Sequence, residues 1–180
     1  MSNWKIKCLS AVDMFMTVIA FILVNWWAPV FAGADGWLPA WLKWFQTFDN
    51  SLDAGWKLQG NYGNYLTDGV EPVGLKRYIY RVFWLYRNPA YGFSYWALGV
   101  PFDPKQWTVV RFTGSEATGD LDFYAEGPDG QFNEHYMRDG QHVKKGWKAW
   151  NMFNAASRTW NTVPWGPEWR VPFVFSVSKV

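Results

Sequence analysis

The stretch Leu75–Gly99, LKRYIYRVFWLYRNPAYGFSYWALG, decides how the chain is read, because helical spacing ends within it and strand-like sequence follows. Leu75, Tyr78, Ile79, Val82, Phe83 and Tyr86 recur at i, i+3, i+4 and i+7, which gives a helix one broad apolar face. Lys76, Arg77, Tyr80, Arg81, Trp84 and Arg87 fall on the opposite side. Four cations and no carboxylate between Leu75 and Arg87 make that side attractive to anionic surfaces such as phospholipid headgroups. Pro89 disfavours helical geometry at Asn88, so the helix is expected to stop there.

Toward the amino terminus the chain becomes apolar. Met14–Ala32, MFMTVIAFILVNWWAPVFA, carries no charge, and as a helix it would extend about 28 Å, close to the roughly 30 Å of a bilayer's hydrocarbon. Residues 1–34 are therefore expected to be a transmembrane anchor, with Asp13 at the edge of the apolar run, where its cost is small. Lys5 and Lys7 before the run and Asp35 after it place the amino terminus in the cytoplasm and the body outside. A cleaved signal peptide reads from the same residues, since Ala32-Gly33-Ala34 has the form of a cleavage site, and a buried or surface-lying helix is the third reading.

Residues 35–180 are expected to form one domain. DGWLPAWLKWFQTFDN, residues 35–50, places Trp37, Leu38, Trp41, Leu42, Phe45 and Phe48 on one face of a second amphipathic helix, with Pro39 in its first turn. Residues 51–72, rich in Gly, Asn and Asp, read as a long irregular connection. Tryptophan suits a bilayer interface, where one end of the ring is dry and the other wet. The membrane-interface residues expected from these stretches are Trp26, Trp27, Trp37, Trp41, Trp44, Arg77, Arg81 and Arg87.

Beyond Gly99 the pattern turns to period two. Gln106–Thr113, Leu121–Ala125, Phe132–Arg138, His142–Phe153 and Trp169–Val177 read as strands, with turns at Gly127–Gly130 and Asp139-Gly140. Short connections imply antiparallel neighbours. The expected fold is α+β: an apolar N-terminal helix, two amphipathic helices, and an antiparallel sheet of about five strands in a meander or small barrel. Residues 102–139 hold eight carboxylates against three cations and residues 140–180 six cations against one carboxylate, so the two blocks suit facing positions across a sheet.

Composition limits the function more than it defines it. A net charge of +2 over 180 residues, without a basic stripe, excludes nucleic acid as an expected partner. Aromatic content is high, at 15 Trp, 14 Phe and 9 Tyr, and its even spread argues for ring-filled cores rather than one sugar platform. Cys8 is the only cysteine, so there is no disulfide framework and no thiolate metal site. No nucleophile elbow and no phosphate-binding glycine loop occurs, and no cofactor is expected. His135 and His142 flank a hairpin turn and could meet across paired strands, with Glu134 or Asp139 as a third group, but their spacing matches no known zinc motif and the reading adopted is plain surface residues. Asp120 and Asp122 share a strand face, as a hydrolytic carboxylate pair would, and a solvated strand edge explains them equally well. Trp147, Trp150, Trp160, Trp165 and Trp169 could stack on sugars, and are read instead as core.

The block at residues 35–56, the segment YRVFWLYRNPAYGFSYWALG at 80–99 and the later GWKAW at 146–150 resemble a family of small tailed-bacteriophage proteins of unknown function. Its members have an apolar amino-terminal segment, a D-G-x-L-P…W-L-x-W-F block and a W-L-x-R-N-P-x-Y-G-F block, the last matched by Trp84, Leu85, Arg87, Asn88, Pro89, Tyr91, Gly92 and Phe93. Phe48 stands where many relatives have Pro. The resemblance covers the first hundred or so residues well and the rest loosely, and it brings no catalytic residue. It implies a phage source. With the apolar run it leads to the expectation of a non-enzymatic, membrane-anchored accessory protein at the host inner membrane, its body in the periplasm, acting on the envelope in lysis or superinfection exclusion with a phage or host envelope protein as partner. The alternatives are an exported domain that binds or hydrolyses cell-wall carbohydrate, and a minor virion component.

Overall fold

The computed structural model describes residues 3–54, 71–163 and 168–179. Most of the expected connection at 51–72, and Trp165, lie outside the described residues. The chain divides into two compact units, one built from residues 1–13 with 94–180 and the other from residues 14–93.

The first unit is organised on a five-stranded antiparallel sheet. Strands β2 (Thr108–Ser115), β3 (Asp120–Glu126), β4 (Phe132–Arg138) and β5 (Gln141–Trp147) form a meander in chain order, and β9 (Phe173–Lys179) pairs with β5. The order β2-β3-β4-β5-β9 leaves β2 and β9 as edges, so the sheet is open and the small-barrel alternative is corrected. Two small pairs accompany it: β1 (Val100–Pro101) with β8 (Arg170–Val171), and β6 (Phe153–Asn154) with β7 (Thr159–Trp160).

Period-two alternation accounts for the sheet's core. Leu121, Phe123 and Ala125 on β3, and Asn133, His135 and Met137 on β4, are buried, while their neighbours along each strand are not. In β2 the alternation is kept by an irregularity between Val109 and Arg111, which lets Phe112 pair with Phe123 while Val110 projects into solvent. Phe102, Trp107, Trp147, Met152, Phe153 and Phe173 complete this core, and Ile6 joins it from the N-terminal helix. Each fully buried side chain of this size contributes about 1.5–3 kcal/mol of transfer free energy.

The hairpin at Asp139-Gly140 forms as its sequence predicts, with positive φ at both positions (53° and 71°) and Arg138 paired with Gln141. The strand expected over His142–Phe153 stops at Trp147. Gly146 takes φ 92°, and the Trp150 backbone N–H donates to Asn133 Oδ1 at 2.8 Å, which draws Ala149–Met152 into a 3-10 turn.

Helix α1 (Asn3–Ile19) continues through a π-helical turn, Ala20–Val24, giving one apolar helix from Trp4 to Val24 that is long enough to cross a membrane. It begins and ends earlier than the run of uncharged residues suggests. Asp13 is therefore central in it, where its Oδ1 accepts from Ser94 Oγ at 2.5 Å. In the second unit α2 (Gly74–Arg87) ends at Asn88 as expected. A short helix, α3 (Tyr91–Trp96), follows, ahead of the period-two sequence that begins beyond Gly99.

The amphipathic helix expected over residues 35–50 is reduced to a 3-10 segment, Ala40–Phe45. Gln46 explains this: its backbone is extended, its Oε1 accepts from the Leu38 N–H at 2.7 Å and its Nε2 donates to the Asn50 carbonyl. Thr47 Oγ1 donates to the same carbonyl at 2.8 Å. These side-chain bonds to backbone hold the segment in a compact non-helical loop on either side of the 3-10 turn.

Candidate membrane-facing surface

The second unit is built around a buried charge. Asp53 has no exposed side-chain surface, and Arg81 Nε donates to its Oδ1 at 2.7 Å while Arg77 Nη2 donates to Oδ2. Burial alone would raise the Asp53 pKa, but the hydrogen bonds and charge of Arg81 and Arg77 outweigh it and hold the carboxyl below its ordinary value. The same arginines reach the chain that follows the apolar helix: Arg77 Nη2 donates to the Ala34 carbonyl at 2.9 Å and Arg81 Nη2 to that of Gly33 at 3.1 Å. Asn25 Nδ2 donates to the Leu85 carbonyl at 3.1 Å, and the Tyr78 hydroxyl donates to the Trp26 carbonyl.

This arrangement inverts helix α2 relative to its sequence reading. Arg81 and Trp84, from the side read as basic and outward, are buried, and Trp84 enters a core with Leu85, Val24, Ala28, Leu38, Leu42 and Leu52. Leu75, Ile79 and Phe83, from the side read as core-facing, are 73%, 39% and 51% exposed. The physical reason is Asp53. An ionised carboxylate inside the unit must be met by cations, so the arginines turn inward and the apolar stripe turns out.

The expected interface residues are distributed accordingly. Trp26, Trp37 and Trp41 are exposed; Trp27 is half-buried, its ring stacked on Trp41 at 6.4 Å and edge-on to Phe31. Trp44 is half-buried against Phe93, with Lys43 Nζ over its ring. Arg87 is exposed, its guanidinium over Trp84 at 6.0 Å, whereas Arg77 and Arg81 are engaged with Asp53. Met14, Phe15, Phe21, Ile22, Leu23, Val30 and Phe31, all within the run read as a membrane anchor, are exposed as well, and what sequence reasoning missed is the exposure of Leu75, Ile79 and Phe83 on α2. Only Asp53, the single carboxylate between Asp49 and Glu71 apart from Asp68, could have signalled the inversion, and nothing in its local sequence marks it as buried.

Polar groups in the first unit form two further arrangements. Arg111 Nε donates to Asp122 Oδ2 at 2.6 Å beside an open depression of about 410 Å³ lined also by Glu134, Tyr136, Arg138, Asp139 and Gln141. Asp120 is exposed, and Asp122 is tied to Arg111, which favours the strand-surface reading of that pair. Glu134 faces Lys145 across β4 and β5 at 3.7 Å, one place where the acidic and basic blocks meet. Trp147 is buried and Trp150, Trp160 and Trp169 pack against the core, which favours the core reading of those rings.

The second arrangement is a histidine pair. His135 Nε2 and His142 Nε2 lie 2.7 Å apart, their rings stacked with centroids at 4.9 Å, and Glu116 Oε1 is 3.4 Å from His135 Nε2. The third group is therefore Glu116, from the 3-10 turn between β2 and β3, rather than Glu134 or Asp139. His135 is 1% exposed, and burial, aided by the charge of Lys144, pushes its pKa down to about 3. Burial likewise lowers that of His142.

The chain belongs to a family of unknown function, DUF7338, whose model matches residues 4–180. No curated protein and no solved structure matches it.

Proposed function

We propose that this member of the family is a membrane-associated accessory protein without enzymatic activity, attached through the apolar surface of the second unit. The observation that carries the reading is that surface: Met14, Phe15, Ile22, Leu23, Trp26, Val30, Phe31, Trp41, Leu75 and Phe83 are each more than half exposed. So many exposed large apolar side chains in one unit point to a membrane or protein interaction site. Tryptophans among aliphatic side chains suit the headgroup boundary, and exposed Arg87, Lys76 and Lys43 supply cations for anionic lipid.

Attachment in the plane of the membrane fits better than a span. A span would place Asp13 near the bilayer centre at a cost of about 2.5–3.5 kcal/mol, and would withdraw Ile6 from the sheet-unit core in which it is buried. A helix lying in the interface requires neither. The finer reading is that of a phage-encoded protein at the periplasmic side of the host inner membrane, acting in lysis or superinfection exclusion. Its support is the resemblance carried by residues 35–56 and 80–99 for the phage source; the periplasmic side follows only if the helix spans, with Lys5 and Lys7 ahead of the apolar run then marking the cytoplasmic end.

Fractionation tests the attachment. Full-length protein is expected in the membrane pellet and is expected to stay there after an alkaline wash; recovery in the soluble fraction would overturn the reading. Leu23→Glu combined with Phe83→Glu is expected to move the protein toward the soluble fraction with its circular dichroism unchanged, because both side chains are exposed and each should remove at least about 1.5 kcal/mol of lipid transfer energy.

A further inference from the structure

We propose that Glu116, His135 and His142 form a binding site for a borderline-soft divalent metal ion of the zinc class. One hairpin brings the two histidines together, and the turn between β2 and β3 adds the glutamate. His135 on β4 pairs with Lys144 and His142 on β5 pairs with Met137, so the two imidazoles sit diagonally on the same face of the hairpin. Glu116 arrives from the turn joining β2 to β3, and its carboxylate and the two Nε2 atoms lie within 4.8 Å of one another.

Two imidazoles and one carboxylate converging on one point suit zinc, cobalt(II) or nickel(II), whose ligands are nitrogen and oxygen at about 2.0–2.2 Å. Calcium or magnesium would require a shell of oxygens, and a single carboxylate does not supply one. A tetrahedral ion holds two such nitrogens about 3.3 Å apart, as the bond lengths dictate. The present 2.7 Å separation therefore needs to open by a few tenths of an ångström, which half-buried His142 has room to provide. Without metal, one Nε2 must donate to the other; on metal binding that proton moves to the Nδ1 of its own ring, which frees both Nε2 lone pairs for the ion.

The surroundings hold His135 ready. The Trp150 ring stands edge-on to it at 5.3 Å, and Trp150 is fixed in turn by its N–H to Asn133 Oδ1. Lys144 and Lys148 are the cations that act on the histidine pair and Glu116 is the opposing anion. The ion must therefore be held by strong nitrogen donors rather than by net charge, which again favours the zinc class. Three protein ligands leave a fourth position for water.

The test uses the full-length protein carrying an affinity tag without histidines, purified in detergent and stripped with a chelator. Cobalt(II) titration is expected to develop a saturable visible ligand-field band at one equivalent per chain, bleached by zinc and untouched by magnesium. His142→Ala is expected to abolish the band, and Glu116→Gln to weaken cobalt binding about tenfold or more. Glu116 is half-exposed, so its variant retains the fold even where a histidine variant does not, and circular dichroism reports on both. Absence of a saturable band, or a titration unchanged in Glu116→Gln, overturns the site and leaves a hydrogen-bonded histidine pair.

Discussion

Asp53 shows how one residue redirects the chemistry of its neighbours. Read along the sequence, Arg77 and Arg81 are surface cations available to headgroups; in the fold both close on a carboxylate with no exposed side-chain surface. Asp53→Asn removes the anion and leaves the Arg81 guanidinium buried without its charge partner, which is expected to cost about 3–5 kcal/mol in chemical denaturation. The sign of the pH dependence follows from the lowered pKa. The native state holds the carboxylate ionised below the unfolded chain's ordinary value of 3.8, so the contribution is complete above that value and is lost as pH falls through the folded one. Between pH 5 and 8 this group should leave stability flat. Denaturation midpoints measured in a series below pH 4 should fall more steeply for the native protein than for Asp53→Asn.

At the scale of elements, period-two sequence was the more reliable guide. The sheet strands arise where alternation predicts them because each has one face on a shared core, and Asp139-Gly140 sets the register of β4 and β5. Gly140→Ala, at φ 71°, is expected to cost about 1–2 kcal/mol through strain alone. Helices were less legible. The 3.6-residue period of α2 was correctly located and its termination at Asn88 correctly placed, yet the face it buries was the opposite one, since periodicity locates a stripe without saying what lies opposite it. The turn after α2 depends on close approach: a Cβ at Gly92 would overlap the carbonyl oxygens of Lys43 and Gln46. Gly92→Ala is therefore expected to be costlier than Gly140→Ala, by more than about 2 kcal/mol in total, read as a lower melting temperature.

For the whole molecule, residues 1–34 contribute buried side chains to the core of each unit. Ile6 is buried in the sheet unit, and Val24 and Ala28 are buried in the other. Cleavage after Ala34 would remove all three, and losing a single buried isoleucine side chain typically costs about 2–5 kcal/mol. Intact mass spectrometry of the membrane-associated protein is accordingly expected to find residues 1–34 retained, and a fragment of residues 35–180 is expected not to fold cooperatively. Detection of a stable, folded chain beginning near Asp35 would contradict this.

By itself the sequence determined the α+β class, the succession of about five antiparallel strands, the end of α2 and the apolar character of the N-terminal helix. Each of these follows from local rules: alternation, turn residues, proline sterics and the length of an apolar run. The tertiary structure alone decided which face of α2 is buried, that Asp13 meets Ser94 in the middle of the helix, and that Glu116 rather than Glu134 or Asp139 completes the histidine pair. Those outcomes depend on groups tens of residues apart. A buried charge or a convergent ligand set is fixed by which segments the chain brings together, and neither leaves a period in the sequence.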